Sequence, residues 1–183
     1  MPIKLRIIDP AYPSYSILSE LPEHAQSIEA LYDRCFGPGR SAKTAERLRE
    51  NNIALSQLSM VAVDSKGEVV AAVRLWPLQI GASGRAVFVG PVAVDDQYRG
   101  SRLGLILTEQ CLDLAKQAGW PLAILIGNEG YFGKMGFVKI STSDYPTLGY
   151  IPPHKLLAME LKDNALVENV GALSVPRVSK PAS

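Results

Sequence analysis

Apolar and polar positions change period several times along the chain, and each change marks an element. Ala25, Ile28, Leu31, Tyr32 and Cys35 recur at helical spacing behind Pro22, until Gly37-Pro38-Gly39 stops the pattern. A short second helix is predicted over 43–50, with Ser41 as its cap and Ala45 and Leu48 on one side. Leu58–Val63 and Val69–Leu75 are β-rich runs separated by Asp64-Ser65-Lys66-Gly67-Glu68, which predicts an antiparallel hairpin. The run 86–94 is too apolar to alternate and belongs in the buried centre of a sheet. Leu103, Leu107, Cys111, Leu114 and Ala118 then form one face of a long helix capped by Gly119. A buried strand at Leu122–Ile126, a helical turn or two at 130–135, and strands at 137–140 and 155–161 complete the pattern, with a further short strand at 4–8 near the start.

This order of strands, helices and hairpins predicts an α/β or α+β fold with a mixed central sheet. Gly90-Pro91 is the anomaly, because proline cannot donate to a strand ladder. A bulge or local splaying is expected there. The chain has 183 residues and is 47% hydrophobic, which is enough for one well-filled core and short for two. A single domain is expected over 1–163, followed by a C-terminal extension, 164–183, that is partly extended or flexible.

Charge and cysteine content narrow the chemistry. Nineteen basic residues face eighteen acidic ones, a net charge of +1, so no global field favours nucleic acid or an anionic membrane. No apolar run approaches the ~20 residues of a membrane span, and no basic segment followed by an apolar secretion core opens the chain, which points to the cytoplasm. Cys35 and Cys111 are far apart, His24 and His154 are isolated, and no metal site is expected. Both cysteines read as small buried hydrophobes.

The informative stretch is Arg99-Gly100-Ser101-Arg102-Leu103-Gly104, between an apolar strand and an amphipathic helix. Backbone N–H groups without helical partners face outward from such a loop, the helix dipole adds roughly half a positive charge, and two arginines add fixed cations. The guest that suits it is a phosphate or pyrophosphate.

Arg99-x-x-x-x-Gly104 resembles the Gln/Arg-x-x-Gly-x-Gly/Ala segment of the GNAT superfamily of acyl-CoA-dependent N-acetyltransferases. Asn128-Glu129-Gly130-Tyr131-Phe132-Gly133-Lys134-Met135-Gly136-Phe137 is similar to the later segment that ends in Gly-Phe. Further similarity, at Leu21-Pro22-Glu23, 37–40, Val73-Arg74-Leu75-Trp76-Pro77, 90–94 and 156–161, covers most of the chain and is nearest the YhbS-type branch.

The resemblance implies a GNAT-like sheet in which two parallel strands splay and the pantetheine arm of acetyl-CoA enters the gap. Val92, Ala93 and Val94 would present their backbone to that arm, with Arg99, Gly100, Ser101, Arg102, Leu103 and Gly104 around the pyrophosphate. Asn128 matches a position that contacts the cofactor arm, and equally suits an N-cap. The chain departs from the pattern at Arg102, where relatives carry a glycine, and its guanidinium would then replace an amide contact. It departs again at Phe132, where many relatives carry the tyrosine that protonates the departing thiolate. Tyr131 is the candidate replacement, competing with water and with unassisted departure of the thiolate.

The activity implied is transfer of acetyl from acetyl-CoA to a primary amine, small molecule or peptide, by direct attack in a ternary complex, with no metal and no covalent enzyme intermediate. A non-catalytic acyl-CoA sensor on the same fold is the alternative, and a homodimer is compatible with either. Phe36, Arg40, Arg74, Trp76 and Tyr145 come from segments that line the acceptor side in similar folds, and none of them identifies the acceptor.

Overall fold

The computed structural model describes residues 5–7, 11–37, 39–40 and 44–177. The strands are β1 (Leu5–Ile7), β2 (Tyr15–Ser19), β3 (Met60–Asp64), β4 (Val69–Ile80), β5 (Gly84–Val94), β6 (Leu122–Ile126), β7 (Val138–Lys139), β8 (Leu156–Glu160) and β9 (Leu173–Ser174). The helices are α1 (Ala25–Phe36), α2 (Thr44–Arg47), α3 (Leu103–Gln117), α4 (Glu129–Phe132) and α5 (Ala165–Glu168). The sheet runs β1-β2-β3-β4-β5-β6-β8-β7, with β9 added beside β4. Every pairing is antiparallel except β5 with β6.

Both faces of the central strands are covered, which is why they read as unbroken apolar runs. Ile28, Leu31 and Tyr32 of α1 pack with Val61, Ala72 and Ala93. Ala62, Ala71 and Val73 point the other way, to Leu103, Leu107, Cys111 and Ala115 of α3. The buried arc of α3 is broader than the expected face at its start and turned at its end: Leu112 and Ala115 are buried, Leu114 partly so, and Ala118 is exposed. The chain leaves the helix there through Gly119, at φ +81°.

The β3–β4 hairpin closes as expected. The Asp64 carboxylate accepts from the amides of Lys66 and Glu68, and Gly67 takes φ +84°. Beyond Leu75, β4 continues to Ile80 and forms a second hairpin with β5, so 81–83 is a tight turn. The second helix is shorter than expected, Thr44–Arg47, and Ser41 and Lys43 lie outside the described residues. Of the C-terminal extension, α5 and β9 lie on the sheet, with Ala165 and Leu173 buried and Leu173 and Ser174 paired to Ile80 and Gln79. Among the described residues no helix is long and apolar enough to cross a membrane.

Two irregularities coincide at the sheet centre. Val73 pairs with Val92 and Leu75 with Val89, so Gly90 and Pro91 together stand opposite Arg74. This is the bulge that the proline predicts. On the other edge, β5 meets β6 at only two registers, Val87 with Ala123 and Phe88 with Ile124. Past Phe88 the strands part, while β6 remains paired to β8 as far as Ile126.

Candidate functional site

The gap between β5 and β6 opens into a cavity of about 630 Å³. Its floor is Val89, Gly90, Pro91 and Val92 from β5, facing Leu125, Ile126, Gly127 and Asn128 from the end of β6. Phe36, Arg40, Glu46 and Arg49 close one side, and Tyr150, Pro152 and Lys155 another. A second cavity of about 630 Å³ lies at the start of α3, lined by Val94, Tyr98, Arg99, Gly100, Arg102, Leu103, Gly104, Tyr131 and Lys134. Val92 and Phe132 line the first cavity, and Val94 and Tyr131 the second. Together they flank one continuous stretch of β5, from the break in the sheet to the α3 N-terminus.

The loop before α3 is shaped by Asp95, whose carboxylate accepts from the Gln97 amide, and by Ser101, whose hydroxyl donates to the Tyr98 carbonyl at 2.6 Å and accepts from the Leu103 amide at 3.3 Å. Gly100 has φ +87°. Arg102 immediately precedes the helix at φ +61°, in the left-handed region that favours glycine. The backbone there keeps the shape that glycine would take, with a cation attached. Arg99 stands in solvent, paired to Asp96 at 2.8 Å. Gly104 leaves room for close approach: a Cβ on it would lie 3.0 Å from the Tyr131 hydroxyl and 3.2 to 3.3 Å from the methyls of Val94 and Val92.

The short helix α4 carries the other expected residues. Asn128 caps it by accepting from the Tyr131 amide at 3.2 Å while also lining the first cavity, so the two roles foreseen for this position are compatible. Phe132 packs edge-on to Phe137 and lies over Gly127, where a Cβ would come within 2.7 Å of its ring. Gly127 is a site residue that sequence reasoning missed; its signal was a glycine at the mouth of a buried strand. Tyr131 turns to the second cavity, with its hydroxyl over Gly104, and burial raises its pKa.

Of the acceptor-side candidates, Phe36 and Arg40 line the first cavity. Arg74, Trp76 and Tyr145 do not. Arg74 is buried beneath α1 and gripped by Glu20 through Nε and Nη2 and by Glu29 through Nη1. Tyr145 is buried and donates to the Leu166 carbonyl. Trp76 lies beside its cross-strand partner Phe88, its Nε1 donating to the Gly90 carbonyl. Cys111 is buried as expected, whereas Cys35 is partly exposed and its thiol donates to the Val94 carbonyl, because α1 ends there beside β5. Ala93 faces α1 with its side chain and can serve the groove only through its backbone. No group of three or more His, Cys, Asp or Glu able to hold a metal occurs among the described residues.

The sequence model of the acetyltransferase (GNAT) family matches residues 25–137. The uncharacterized N-acetyltransferase YhbS of Escherichia coli strain K12 is 32% identical over 119 residues, 64% of this chain and 70% of that protein. The crystal structure of Escherichia coli YhbS in complex with CoA superposes with a TM-score of 0.77 at 28% identity, covering 93% of each chain. A GNAT-family acetyltransferase from Brucella melitensis, in complex with acetyl-CoA, shares the fold with a TM-score of 0.55 at 24% identity, covering 83% of this chain and 97% of that one.

Proposed function

The chain belongs to the acetyltransferase (GNAT) family, and on that premise we propose that it moves an acetyl group from acetyl-CoA to a primary amine by direct attack in a ternary complex. The observation that carries this reading is the strip of β5 between the two cavities, which stays paired to β4 but has no partner on its β6 side past Phe88, and which leads to the α3 N-terminus. Pyrophosphate binds at the amides of Leu103 and Gly104, with Arg99 and Arg102 as cations and Gly100 and Ser101 shaping the loop. Pantetheine lies along Val92, Ala93 and Val94, bonding as a strand would. Asn128 borders it from the β6 side.

The acetyl carbonyl then lies near Gly90, where the first cavity admits the acceptor. The neutral amine attacks that carbon, the N–C bond forms, the C–S bond breaks, and the amine proton leaves as the CoA thiolate takes one up. The preorganised backbone donors of the splay stabilise the oxyanion that develops. Tyr131 is the proton donor to the thiolate. Its hydroxyl, protonated at neutral pH as any tyrosine is and with its pKa raised further by burial, lies over Gly104 in the second cavity, so the role requires the ring to swing along the groove toward the sulfur once the cofactor is bound.

Phe132, where many relatives carry tyrosine, favours the second reading, an acyl-CoA sensor. One experiment separates them. Purified protein with acetyl-CoA and a pool of amines should release CoA thiol and yield acetylated amine by mass spectrometry; tight acetyl-CoA binding without product would leave the sensor.

A further inference from the structure

The first cavity contains a cation whose binding edge is unused. Arg49, just beyond α2, is largely buried, with its guanidinium 5.2 Å from the centre of the Phe88 ring. Nη1 donates to Glu46. Nε is buried and has no hydrogen-bond partner among the described residues, and Nη2 lies against the splay, 3.5 Å from where a Cβ of Gly90 would be. A buried N–H without a partner is costly, and a ligand oxygen removes the cost.

Nε and Nη2 share the edge of a guanidinium that grips a carboxylate or phosphate with two parallel bonds. Arg74 shows this use in the same protein, holding Glu20 with Nε at 3.1 Å and Nη2 at 2.8 Å. Arg49 presents the same edge with no hydrogen-bond partner on it among the described residues. The other charges on the cavity wall do not substitute: Arg40 is occupied by Glu29 and Asp33, and Glu46 already holds Nη1. Lys155 adds a further positive charge on the opposite wall.

We propose that the acceptor is an amine bearing a carboxylate or phosphate a few bonds from its nitrogen, bound at the Nε–Nη2 edge of Arg49. The separation follows from Gly90, since the amine must reach the thioester there while the anion rests on the guanidinium beside it. This inference depends on the acetyl-transfer reading for its role, although the subsite itself can be tested by binding.

The test is calorimetry on the CoA-saturated protein with matched probes: α-amino acids against their carboxamides, and phosphoethanolamine against ethanolamine, each followed by thiol release from acetyl-CoA. At least one acidic probe should bind tenfold or more tightly than its uncharged partner, and the pair that does so identifies carboxylate or phosphate. Arg49→Gln should abolish that preference, and Arg49→Lys, which keeps the charge but not the fork, should retain only part of it. Equal binding within every pair, or a preference that survives Arg49→Gln, overturns the proposal. If Arg49→Gln fails to fold, Arg49→Lys decides, and an undiminished preference in it overturns the fork. Preferential binding without thiol release upholds the subsite and overturns acetyl transfer; thiol release with uncharged amines alone does the reverse.

Discussion

Trp76 Nε1 donates a 2.7 Å hydrogen bond to the carbonyl of Gly90, so a side chain of β4 pins β5 two residues beyond Phe88, the last that pairs with β6. The bulge places Gly90-Pro91 opposite Arg74, two residues from Trp76, and the indole satisfies a carbonyl that no strand partner takes. Trp76→Phe keeps the ring and removes the donor. It should cost about 1 kcal/mol in urea unfolding, the usual net worth of one hydrogen bond, and should lower kcat for acetyl transfer more than it weakens acetyl-CoA binding.

Gly104→Ala should leave the protein folded and weaken acetyl-CoA binding tenfold or more. The new methyl would meet the Tyr131 hydroxyl and both valines of the groove at 3.0 to 3.3 Å, filling the space where the cofactor must approach the helix amides. Calorimetric titration with acetyl-CoA, beside a thermal melt, checks both halves.

Arg102 carries two opposed effects that substitution separates. Its φ of +61° costs an L-residue roughly 1 kcal/mol or more relative to glycine, so Arg102→Gly should raise the melting temperature, and Arg102→Ala should not. For acetyl-CoA the order of affinity should be wild type, then Gly, then Ala, since glycine restores close backbone approach and alanine offers neither amide access nor charge. Equal affinities for all three would leave Arg102 as surface.

Much of this was legible in the sequence, and the reasons differ by element. The Gly90-Pro91 bulge could be read because proline's missing donor is a local fact, and α3 because its apolar period is long. The loop 99–104 could be read from charge and glycine at a strand-to-helix turn. The roles of Arg74, Trp76 and Tyr145 could not, because each is held by a partner distant in sequence and does not line the cavity: Glu20 and Glu29 claim Arg74 across 54 and 45 residues of sequence. Arg49 escaped notice for the same reason in reverse. Nothing in Arg47-Leu48-Arg49 distinguishes a solvated arginine from one folded over Phe88.

Arg74→Met should therefore act on stability. Glu20 and Arg74 are each about a tenth exposed, and removing one member of a buried pair costs about 3 to 5 kcal/mol. Denaturant unfolding should show a loss of that order, while the ratio of rates among different amine acceptors stays as in the wild type.

Tyr131→Phe should lower turnover by ~10²-fold, the usual scale for losing a general acid, with acetyl-CoA affinity retained. The sign of the pH dependence follows from burial, which raises the tyrosine pKa above its ordinary 10.0. The acid is competent below that pKa, so kcat should rise with pH as the acceptor amine loses its proton and should fall only beyond the ordinary tyrosine range. A fall near neutrality, or turnover near wild type in the variant, would point to water or to unassisted thiolate departure.

The most direct measurement is a crystal structure of this protein with acetyl-CoA bound. The pyrophosphate should accept hydrogen bonds from the amides at the start of α3, the pantetheine should run along β5 past Phe88, and the acetyl carbonyl should lie beside Gly90 with the first cavity open to it. Acetyl-CoA bound elsewhere, or a groove still empty at saturating acetyl-CoA, would contradict the account.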